Sequence, residues 1–381
     1  MRTRSHLPIL LASCLAAWAC TAPEPTAPGS TTNGSGQPAP GDDAAFFTSE
    51  DYHRVDKIDF HAHIHQHGDD FVELAESDRF RFVNIATHSA DPEEMRVRHE
   101  TVFAQLAARP DRVIAVSSFP MAGWDDPGWQ ERTIAYLEET FERGAVAVKL
   151  WKNIGMELED RDGRMVMVDH PRFDPIFEHL ARRGIPVIGH LGEPRECWLP
   201  LEEMVTHRGY FASHPEYHMF LHPEMPSYED QLAARDRLLE RHPELRFAAA
   251  HLASLEWNVD ELARFLDRFP DVIVETAARV RDLQYQSSQD RERVRRFLIG
   301  YQDRVAYGTD LTVRPSASAE EAIAAARRRW RADWSWFATD AEVEVSQLPE
   351  PVRGLQLPRE VVEKLYRLNA ERFFGDPWPG R

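Results

Sequence analysis

Residues 55–63, VDKIDFHAH, form a short run in which apolar and polar side chains are mixed. The run ends in two histidines that flank an alanine. Seven more short runs, each rich in apolar and branched side chains, follow along the chain. The eight runs are 55–61, 81–87, 112–119, 145–151, 185–190, 246–251, 272–276 and 305–309. Runs of this kind are typical of parallel strands whose two faces are both covered. We therefore predict eight buried parallel strands.

Amphipathic segments with helical spacing separate these runs. In 254–269, Val259, Leu262 and Leu266 recur at steps of three and four residues, and Ser254 is expected to cap the helix start. Two further segments share this spacing: 130–143 and 227–241. Eight strands alternating with helices predict an α/β fold of the (β/α)8 TIM-barrel type. The alternative is an open doubly wound sheet, which is weakened because no glycine-rich phosphate loop follows the first run.

The first 20 residues resemble an export signal. Arg2 and Arg4 precede an apolar run over 7–19, which is too short to cross a bilayer. The run ends in small residues and a cysteine, as in a bacterial lipoprotein signal, whose cysteine becomes the lipidated first residue. Cys14 and Cys20 are both candidates, and Cys20 is preferred because it leaves an apolar run of normal length. An ordinary cleaved signal is the alternative.

The composition of the next segment predicts a tether. Pro, Gly, Ser and Thr dominate residues 21–46, so this segment cannot bury enough apolar surface to offset its ordering entropy. We therefore expect a signal peptide over 1–20, a flexible linker over 21–46 and one barrel domain over 47–381. The predicted location is the cell envelope, with the protein exported and anchored to a membrane at its periplasmic or outer face.

Charge and cysteine content exclude several classes of protein. The 381 residues include 45 basic and 63 acidic side chains, which leaves a net charge of −18. Nucleic acid and anionic membrane surfaces are therefore not expected as partners, because their phosphates attract basic side chains. Three cysteines are too few for a disulfide scaffold. We expect contact with the membrane only through the lipid anchor, and the sequence leaves the oligomeric state open.

Polar side chains close the predicted strands. His61 and His63 are two residues apart, so in an extended chain they share one face. Four other runs end in or next to one coordinating or titratable side chain: Lys149, His190, His251 and Asp310. The carboxyl ends of barrel strands form the active face of such a domain. Histidines and a carboxylate gathered there predict a metal site.

Four segments carry a resemblance to a known family. They are DFHAH (59–63), IPVIGHLGE (185–193), FAAAHLA (247–253) and YGTD (307–310). They resemble the signature segments of the amidohydrolase superfamily, and most of all its amidohydrolase-related branch, which includes lactonases and decarboxylases. The stretch 357–375 also resembles the last helix of that branch. The resemblance covers residues 55–375 and is specific for the superfamily rather than for a substrate.

The resemblance implies a set of residue roles. The implied ligands of a divalent metal ion, Zn²⁺ by preference, are His61, His63, His190 and Asp310. A water completes the shell, and the metal lowers its pKa towards about 7. Asp310 would take the proton of that water, His251 would polarise the substrate carbonyl or hold the water, and Glu193 would contact the substrate. The expected activity is metal-dependent hydrolysis of a lactone, amide or related small-molecule carbonyl compound.

Lys149 leaves the number of metal ions open. In members of the superfamily with two metals, a lysine on this strand is carbamylated and bridges the ions. In members with one metal, the lysine is absent or serves the substrate. Lys149 is one of only four lysines in the chain, which makes its place inside an apolar strand notable. We prefer one metal, with Lys149 bound to a substrate anion.

Two other functions remain open. The first is metal-dependent decarboxylation of an aromatic or enoic acid, and the second is a lipoprotein that binds a metal or ligand without turnover. Two long connections follow His190 and Asp310 and are rich in aromatic side chains. A wall at the barrel mouth and packing within the long connections are the alternatives, and for any single aromatic side chain packing is preferred. The second connection contains Trp330, Trp334, Trp336 and Phe337.

Overall fold

A computed structural model describes residues 45–89 and 91–378. The predicted signal peptide, the candidate lipidation sites Cys14 and Cys20 and residues 21–44 of the predicted linker lie outside the described residues. Among the helices that the structure describes, none is both long and apolar enough to span a bilayer. The backbone carbonyl of Ala45 accepts a hydrogen bond of 3.0 Å from the N–H of Arg359. Residues at the start of the described part are therefore already attached to the domain.

Within the described residues, nine strands form one parallel sheet. They are β1 (Lys57–Ile64), β2 (Phe80–Ile85), β3 (Val113–Ser117), β4 (Ala145–Leu150), β5 (Val187–Gly189), β6 (Phe247–Ala249), β7 (Ile273–Glu275), β8 (Val305–Ala306) and β9 (Leu311–Val313). Their order is β8-β7-β6-β5-β4-β3-β2-β1-β9, so strands that follow one another along the chain are neighbours in space. A separate antiparallel pair consists of β10 (Glu342–Val343) and β11 (Val352–Arg353). All eight predicted strands are present; β1 ends three residues beyond its predicted end, and the other seven strands are shorter than predicted.

The two ends of the parallel sheet meet because β8 and β9 are two halves of one chain segment. β8 pairs with β7, whereas β9 pairs with β1 in the register Ala62↔Leu311. Between them, the N–H of Phe60 donates to the carbonyl of Tyr307 at 2.9 Å, and the N–H of Asp310 donates to the carbonyl of His61 at 2.8 Å. β8 and β1 share no ladder of their own, but these bonds bring the segment against β1. The fold is the predicted TIM-type barrel.

Helices separate the strands and cover the outside of the sheet. They are α1 (Asp70–Glu76), α2 (Pro92–Ala108), α3 (Trp129–Glu142), α4 (Asn153–Met156), α5 (Asp174–Arg183), α6 (Arg208–Ser213), α7 (Tyr228–Arg241), α8 (Ala250–Ala253), α9 (Val259–Arg268), α10 (Val280–Gln289), α11 (Arg291–Gly300), α12 (Ala319–Ala338), α13 (Arg359–Glu363) and α14 (Asn369–Phe374). Short 3₁₀ turns occupy Ser49–His53, Pro171–Phe173, Arg195–Trp198, Leu201–Glu203, Pro215–Tyr217 and Met219–Leu221, and a π turn occupies Lys364–Leu368.

The predicted cap of the helix in 254–269 was wrong. α9 begins at Val259, and its cap is Asn258, whose side chain accepts a hydrogen bond of 2.9 Å from the N–H of Asp260. Ser254 instead has a φ of 56°, and its hydroxyl donates to the carbonyl of Leu191 at 3.1 Å. The left-handed backbone at Ser254 prevents a right-handed helix from starting there.

The aromatic residues of the second long connection pack in the interior, which is the alternative preferred for each of them, and do not form a wall at the barrel mouth. Trp330, Trp334, Trp336 and Phe337 all lie on α12 and are buried. Trp330 stacks on Phe80, at the start of β2, with 4.2 Å between ring centroids. Trp330, Trp334 and Phe337 recur at steps of four and three residues, so one face of α12 carries these three against the sheet.

Candidate active site

A cavity of about 270 Å³ opens at the carboxyl ends of the strands. Its wall contains His63, Trp151, Lys152, His190, Glu193, Pro194, His207, Tyr210, Phe211, His251, Ala278, Arg279, Arg281, Asp310 and Thr312. Four of the residues predicted as metal ligands or catalytic groups, on different strands, therefore face one space. His61 lies immediately behind this wall and is fully buried.

Three of the four predicted metal ligands form a compact triangle. His61 Nε2 lies 3.2 Å from His63 Nε2 and 3.4 Å from Asp310 Oδ1, and His63 Nε2 lies 3.2 Å from Asp310 Oδ1. Zinc bonds of 2.0–2.1 Å to a tetrahedron of ligands place those ligands about 3.4 Å apart. The triangle therefore has the dimensions of three ligands around one Zn²⁺ ion.

The hydrogen bonds behind these rings leave their Nε2 atoms without protons. His61 Nδ1 lies 2.9 Å from Glu275 Oε1, and His63 Nδ1 lies 3.1 Å from the carbonyl of Ile85. Both partners only accept, so each Nδ1 carries the proton and each Nε2 presents a lone pair. Burial lowers the pKa of His61 well below its usual value, which keeps the ring neutral. Two lone pairs 3.2 Å apart repel unless a cation lies between them, so the donor set fits a metal ion.

β1 contains a bulge at the first of the two histidines. Between Asp59 and Ala62 the strand contains one more residue than its partner β2. Such a bulge changes which face the following side chains take. Before it, Phe60 packs below the site against Phe373 and Phe374, with ring centroids 5.5 and 4.9 Å away.

His190 lies outside the compact triangle but presents the same kind of atom. His251 Nδ1 lies 2.9 Å from the carbonyl of Ala277, so it donates, and His251 Nε2 therefore accepts from His190 Nδ1 at 3.1 Å. His190 Nε2 is left as a buried lone pair without a hydrogen-bond partner in the described part of the chain. Its position in the cavity wall is compatible with the predicted ligand role, which stays a prediction.

Asp310 is held as an anion by its surroundings. Burial opposes ionisation, but the nearby histidine rings, His63 at 3.2 Å first among them, keep the pKa of Asp310 well below its usual value. The backbone at Asp310 is left-handed, with a φ of 62°. Asp59 supports the preceding residue, since its carboxylate accepts from the N–H of Thr309 at 2.9 Å and from its hydroxyl at 2.5 Å.

Lys149, on β4, touches the metal-ligand set across the interior of the barrel, because β4 is not adjacent to β1 in the sheet. Its Nζ lies 3.2 Å from His61 Nε2, and burial lowers its pKa to about 8, with Glu275 and Asp310 opposing that shift. An amine with this pKa is partly neutral near pH 8. Both of the predicted roles, carbamylation and binding of an anion, are compatible with this position.

Glu193 lies in the cavity wall, but Lys152 is already its ionic partner. Lys152 Nζ donates to Glu193 Oε1, and both side chains are largely buried. Burial disfavours the charge of Lys152, yet attraction to Glu193 raises the pKa of Lys152. Glu193 Oε2 lies 3.9 Å from His190 Nε2. If Glu193 contacts the substrate as predicted, it does so as part of the Lys152–Glu193 ion pair, which has no net charge.

The sequence reasoning missed Glu275, which closes β7 as a fully buried carboxylate. Its Oε1 accepts from His61 Nδ1 and, at 2.9 Å, from the N–H of His251, while Oε2 accepts from the N–H of Ala277. The sequence did contain a signal for Glu275, because this acidic residue lies near the end of an otherwise apolar run, in the way that His190 and His251 end theirs. Among the described residues, Glu275 also forms a second possible ligand set with His61 and His251, but hydrogen bonds already join these groups.

The strand ends of a (β/α)8 barrel therefore bring together histidines and an aspartate with the spacing of metal ligands. Fold and site define a barrel protein with a candidate metal centre. A model of the family described as Amidohydrolase matches residues 58–375, and the chain belongs to this family. The family resemblance predicted from the four sequence segments is confirmed.

Several solved structures are similar to this chain. The TIM-barrel protein Bb4693 from Bordetella bronchiseptica is 17% identical, with a TM-score of 0.46, over 85% of this chain and 99% of that one. The 5-carboxyvanillate decarboxylase LigW from Sphingomonas paucimobilis is 15% identical, with a TM-score of 0.44, over 80% and 82%. Dihydroorotase from Campylobacter jejuni is 11% identical, with a TM-score of 0.43, over 84% and 83%. A search of curated protein sequences found no match.

Proposed function

We propose that this chain is a hydrolase that depends on one divalent metal ion, Zn²⁺ by preference, and acts on a lactone, amide or related carbonyl compound. The observation that carries the proposal is the triangle of His61 Nε2, His63 Nε2 and Asp310 Oδ1, with edges of 3.2–3.4 Å, at the wall of an open cavity. A bound metal ion would supply Lewis acidity towards a carbonyl oxygen or a water molecule.

Asp310 and His251 are the two side chains proposed to act beside the metal ion. Asp310, held as a carboxylate, accepts the proton of a water molecule at the cavity wall. His251 is neutral because burial lowers its pKa well below the usual value, and its Nδ1–H is engaged by Ala277. Its Nε2 already accepts the N–H of His190 Nδ1 at 3.1 Å, which leaves no lone pair for a water and no proton for a carbonyl. In this arrangement His251 orients the ring of the predicted ligand His190.

A substrate panel tests the proposed reaction. We would load the purified protein with zinc and offer lactones, amides and aromatic acids while measuring acid release and CO₂ release. Hydrolysis of a carbonyl compound with no CO₂ supports the proposal. Release of CO₂ from an acid would replace it with the decarboxylase alternative, and no turnover on any compound would favour a binding protein.

Two aspartate variants make the panel specific to the site. Asp310→Asn removes the proton acceptor and one proposed ligand, and should lower kcat/KM at least about 1,000-fold. Asp333→Asn is the control, since Asp333 is a more deeply buried carboxylate that lies on α12, away from the cavity, and accepts from the hydroxyl of Tyr307 at 2.7 Å. This variant should keep activity within about threefold. Equal losses in the two variants would contradict the proposed role of Asp310.

We also propose that the protein is exported and anchored through a lipid on Cys20. The support is the sequence pattern of residues 1–20 and the tether-like composition of 21–46. Intact mass of the mature protein from membranes should show an acylated chain that begins at Cys20. Cys20→Ser should abolish acylation and membrane association, whereas Cys14→Ser should change neither. A mature chain that begins beyond residue 20 without acylation would contradict the anchor.

A further inference from the structure

A histidine and a buried aspartate form a pair in the cavity wall, outside the metal-ligand triangle. His207 lines the same cavity as His63 and Asp310 and is only 5% exposed. Its Nε2 lies 2.9 Å from Oδ1 of Asp282, which lies in the first turn of α10. A carboxylate only accepts, so Nε2 carries a proton and Nδ1 is the remaining position of the ring.

Asp282 is a carboxylate in this environment, although it is buried. Burial opposes its charge, but His207 and Arg279 attract it and keep the pKa of Asp282 below its usual value. The hydroxyl of Thr206 donates to the same Oδ1 at 2.7 Å. A buried carboxylate behind an imidazole fixes the tautomer of the ring and stabilises the imidazolium that forms during proton transfer. The pair therefore has the arrangement of a catalytic proton donor and its supporting carboxylate.

The loop that carries His207 is fixed before any ligand binds. Glu196 accepts from three consecutive backbone N–H groups: Val205 at 2.9 Å, Thr206 at 3.1 Å and His207 at 2.7 Å. Because Asp282 holds the side chain as well, the ring has little freedom to move. A proton donor gains from such preorganisation, since little entropy is lost when the substrate arrives.

Nδ1 of His207 is available to a molecule in the cavity. It has no hydrogen-bond partner among the described residues, yet it is not sealed from solvent as His190 Nε2 is. His218, on the same connection, is the opposite case. Its Nε2 donates to the carbonyl of Leu199 at 2.7 Å, its Nδ1 is buried without a partner in the described part of the chain, and it does not line the cavity. Of these two buried histidines, only His207 is placed to exchange a proton with a ligand.

We propose that His207 is a catalytic acid of the proposed hydrolysis, with Asp282 as its positioning residue. Nδ1 donates a proton to the leaving oxygen or nitrogen atom of the substrate, while Asp310 acts on the attacking water. A cavity of about 270 Å³ bounded by His207 and Asp310 brings one small molecule against both. The substrate class is a lactone or amide, whose leaving group needs a proton. The inference rests on the proposed function for the position of the carbonyl group.

The proton and electron balance is that of hydrolysis. The oxygen of water forms the new bond to the carbonyl carbon, and Asp310 takes one proton of that water. As the bond from the carbonyl carbon to the leaving atom breaks, its electron pair takes the Nδ1 proton of His207. The ring becomes neutral while its Nε2–H stays hydrogen-bonded to Asp282. Solvent then takes the proton of Asp310 and returns one to His207, so both groups regain their starting state.

Dependence on the leaving group tests this role in the zinc-loaded protein. The two probes share one acyl part: the lactone or amide that the substrate panel identifies, with δ-valerolactone tried first, and the thiolactone or thioester of the same acid. A thiolate leaves without a proton, because thiols are far stronger acids than alcohols or amines. His207→Gln should lower kcat at least about 100-fold on the lactone or amide and less than about fivefold on the sulfur compound, with KM nearly unchanged. Equal losses on both compounds, or no loss on either, would overturn the proposal.

Two further variants separate catalysis from folding. Asp282→Asn should cause the same selective loss, about tenfold or more on the lactone or amide alone, because the amide no longer fixes the tautomer of His207. His218→Gln is the control and should change the rates on both compounds by the same factor. A selective loss in His218→Gln as well, or none in Asp282→Asn, would contradict the assignment.

Nitrogen NMR of the zinc-loaded protein tests the position of His207 without turnover. Benzohydroxamate, a zinc-binding probe, should shift the Nδ1 signal of His207, which is assigned by its absence in His207→Gln, and leave the His218 signals unmoved. An unmoved His207 signal would show that the ring does not face the bound molecule. If this signal shifts but no compound of the panel is hydrolysed, the placement of His207 stands and the proposed reaction falls. If hydrolysis occurs with equal losses on the two compounds, the reaction stands and the acid role falls.

Discussion

At the scale of single residues, Glu275 accepts three hydrogen bonds within the candidate site. One carboxylate oxygen accepts from both His61 Nδ1 and the backbone of His251, and the other accepts from Ala277. A carboxylate behind a metal-binding histidine sets its tautomer and increases its basicity. Glu275 is therefore a positioning residue for the predicted metal ligand His61.

Glu275→Gln should lower zinc affinity about 10- to 100-fold, because the side chain keeps its shape but loses the charge behind His61. Competition against a chromogenic chelator measures this affinity. Glu371→Gln is the control, since Glu371 is also buried but forms an ion pair with Arg81 at 2.6 Å. That variant should unfold at lower temperature with unchanged zinc affinity. The prediction fails if both variants bind zinc as the original protein does.

Lys149→Arg distinguishes one metal ion from two. Arginine keeps the positive charge but cannot be carbamylated, so a carbamate bridge would be lost. We expect about one zinc per chain before and after the substitution, with the damage mainly in KM. Metal analysis by mass spectrometry measures the ratio, and Lys149→Met serves as a second variant if arginine does not fit. Close to two metal ions in the original protein, halved in both variants, would contradict the choice of one metal.

At the scale of secondary structure, the segment after β6 departs from ordinary backbone. His251, Leu252, Ala253 and Ser254 have φ angles of 57°, 55°, 58° and 56°, so four consecutive non-glycine residues are left-handed. Left-handed backbone costs roughly 1–2 kcal/mol for each such residue. This turn points the His251 ring towards His190 and places the Ser254 hydroxyl against the loop after β5. Strain of this kind is common at functional sites.

Replacing one residue of this turn by glycine should reveal the strain. Glycine usually lowers stability because it gives the unfolded chain more conformational entropy, but in Ala253→Gly the relief of left-handed strain opposes this effect. The free energy of unfolding should therefore be unchanged or up to about 1 kcal/mol higher. Ala250→Gly is the matched control, since Ala250 is equally buried but does not have a positive φ. It should lower the free energy of unfolding by about 1 kcal/mol. Urea unfolding measures both, and equal losses would contradict the prediction.

At the scale of the whole molecule, the end of the barrel opposite the cavity also contains a buried cation. Lys57, at the start of β1, donates to the carbonyls of Tyr52 at 2.5 Å and Val55 at 2.6 Å. Its ammonium group lies 4.4 Å from the ring centroid of Tyr52. Burial lowers the pKa of Lys57 to about 7, although Asp78 opposes the shift.

This shift predicts a pH dependence of folding stability. The unfolded chain has the ordinary lysine pKa of 10.5, so between about pH 7 and pH 10.5 it binds more protons than the folded chain. Stability from Lys57 should therefore rise with pH in this window, by at most about 1.4 kcal/mol per pH unit. Lys57→Met removes this rise. The test is the difference in the free energy of urea unfolding between the two proteins at pH 7.5, 8.5 and 9.5.

Lys364→Met provides the control for this pH series. Lys364 pairs with Glu360 at 2.8 Å and Asp303 at 3.1 Å, and the hydrogen bond that Lys364 donates to Glu360 raises the pKa of Lys364. Its contribution is thus fully present below pH 10.5, and the difference from the original protein should stay flat over the series. Parallel curves for the original protein and Lys57→Met would show that Lys57 is not neutral in the fold.

The sequence by itself determined the barrel and the strand ends at which the chemistry is predicted. Apolar runs, helical spacing and polar residues at the ends of runs are local patterns, and parallel strands in a barrel bring their carboxyl ends together. This reasoning identified His61, His63, His190 and Asp310 as candidate ligands. It could not determine which ring nitrogen carries a proton, because that depends on the acceptors Glu275, Ile85 and Ala277 from other strands.

Only the tertiary structure decided the environment of each group. From the sequence, Trp330 belonged either to a cavity wall or to the packed interior, and the structure buries it in the core on one face of α12. Ser254 looked like a cap, but the left-handed turn gives its hydroxyl other partners. Burial and hydrogen-bond competition arise between segments far apart in sequence, and a local pattern contains no information about them.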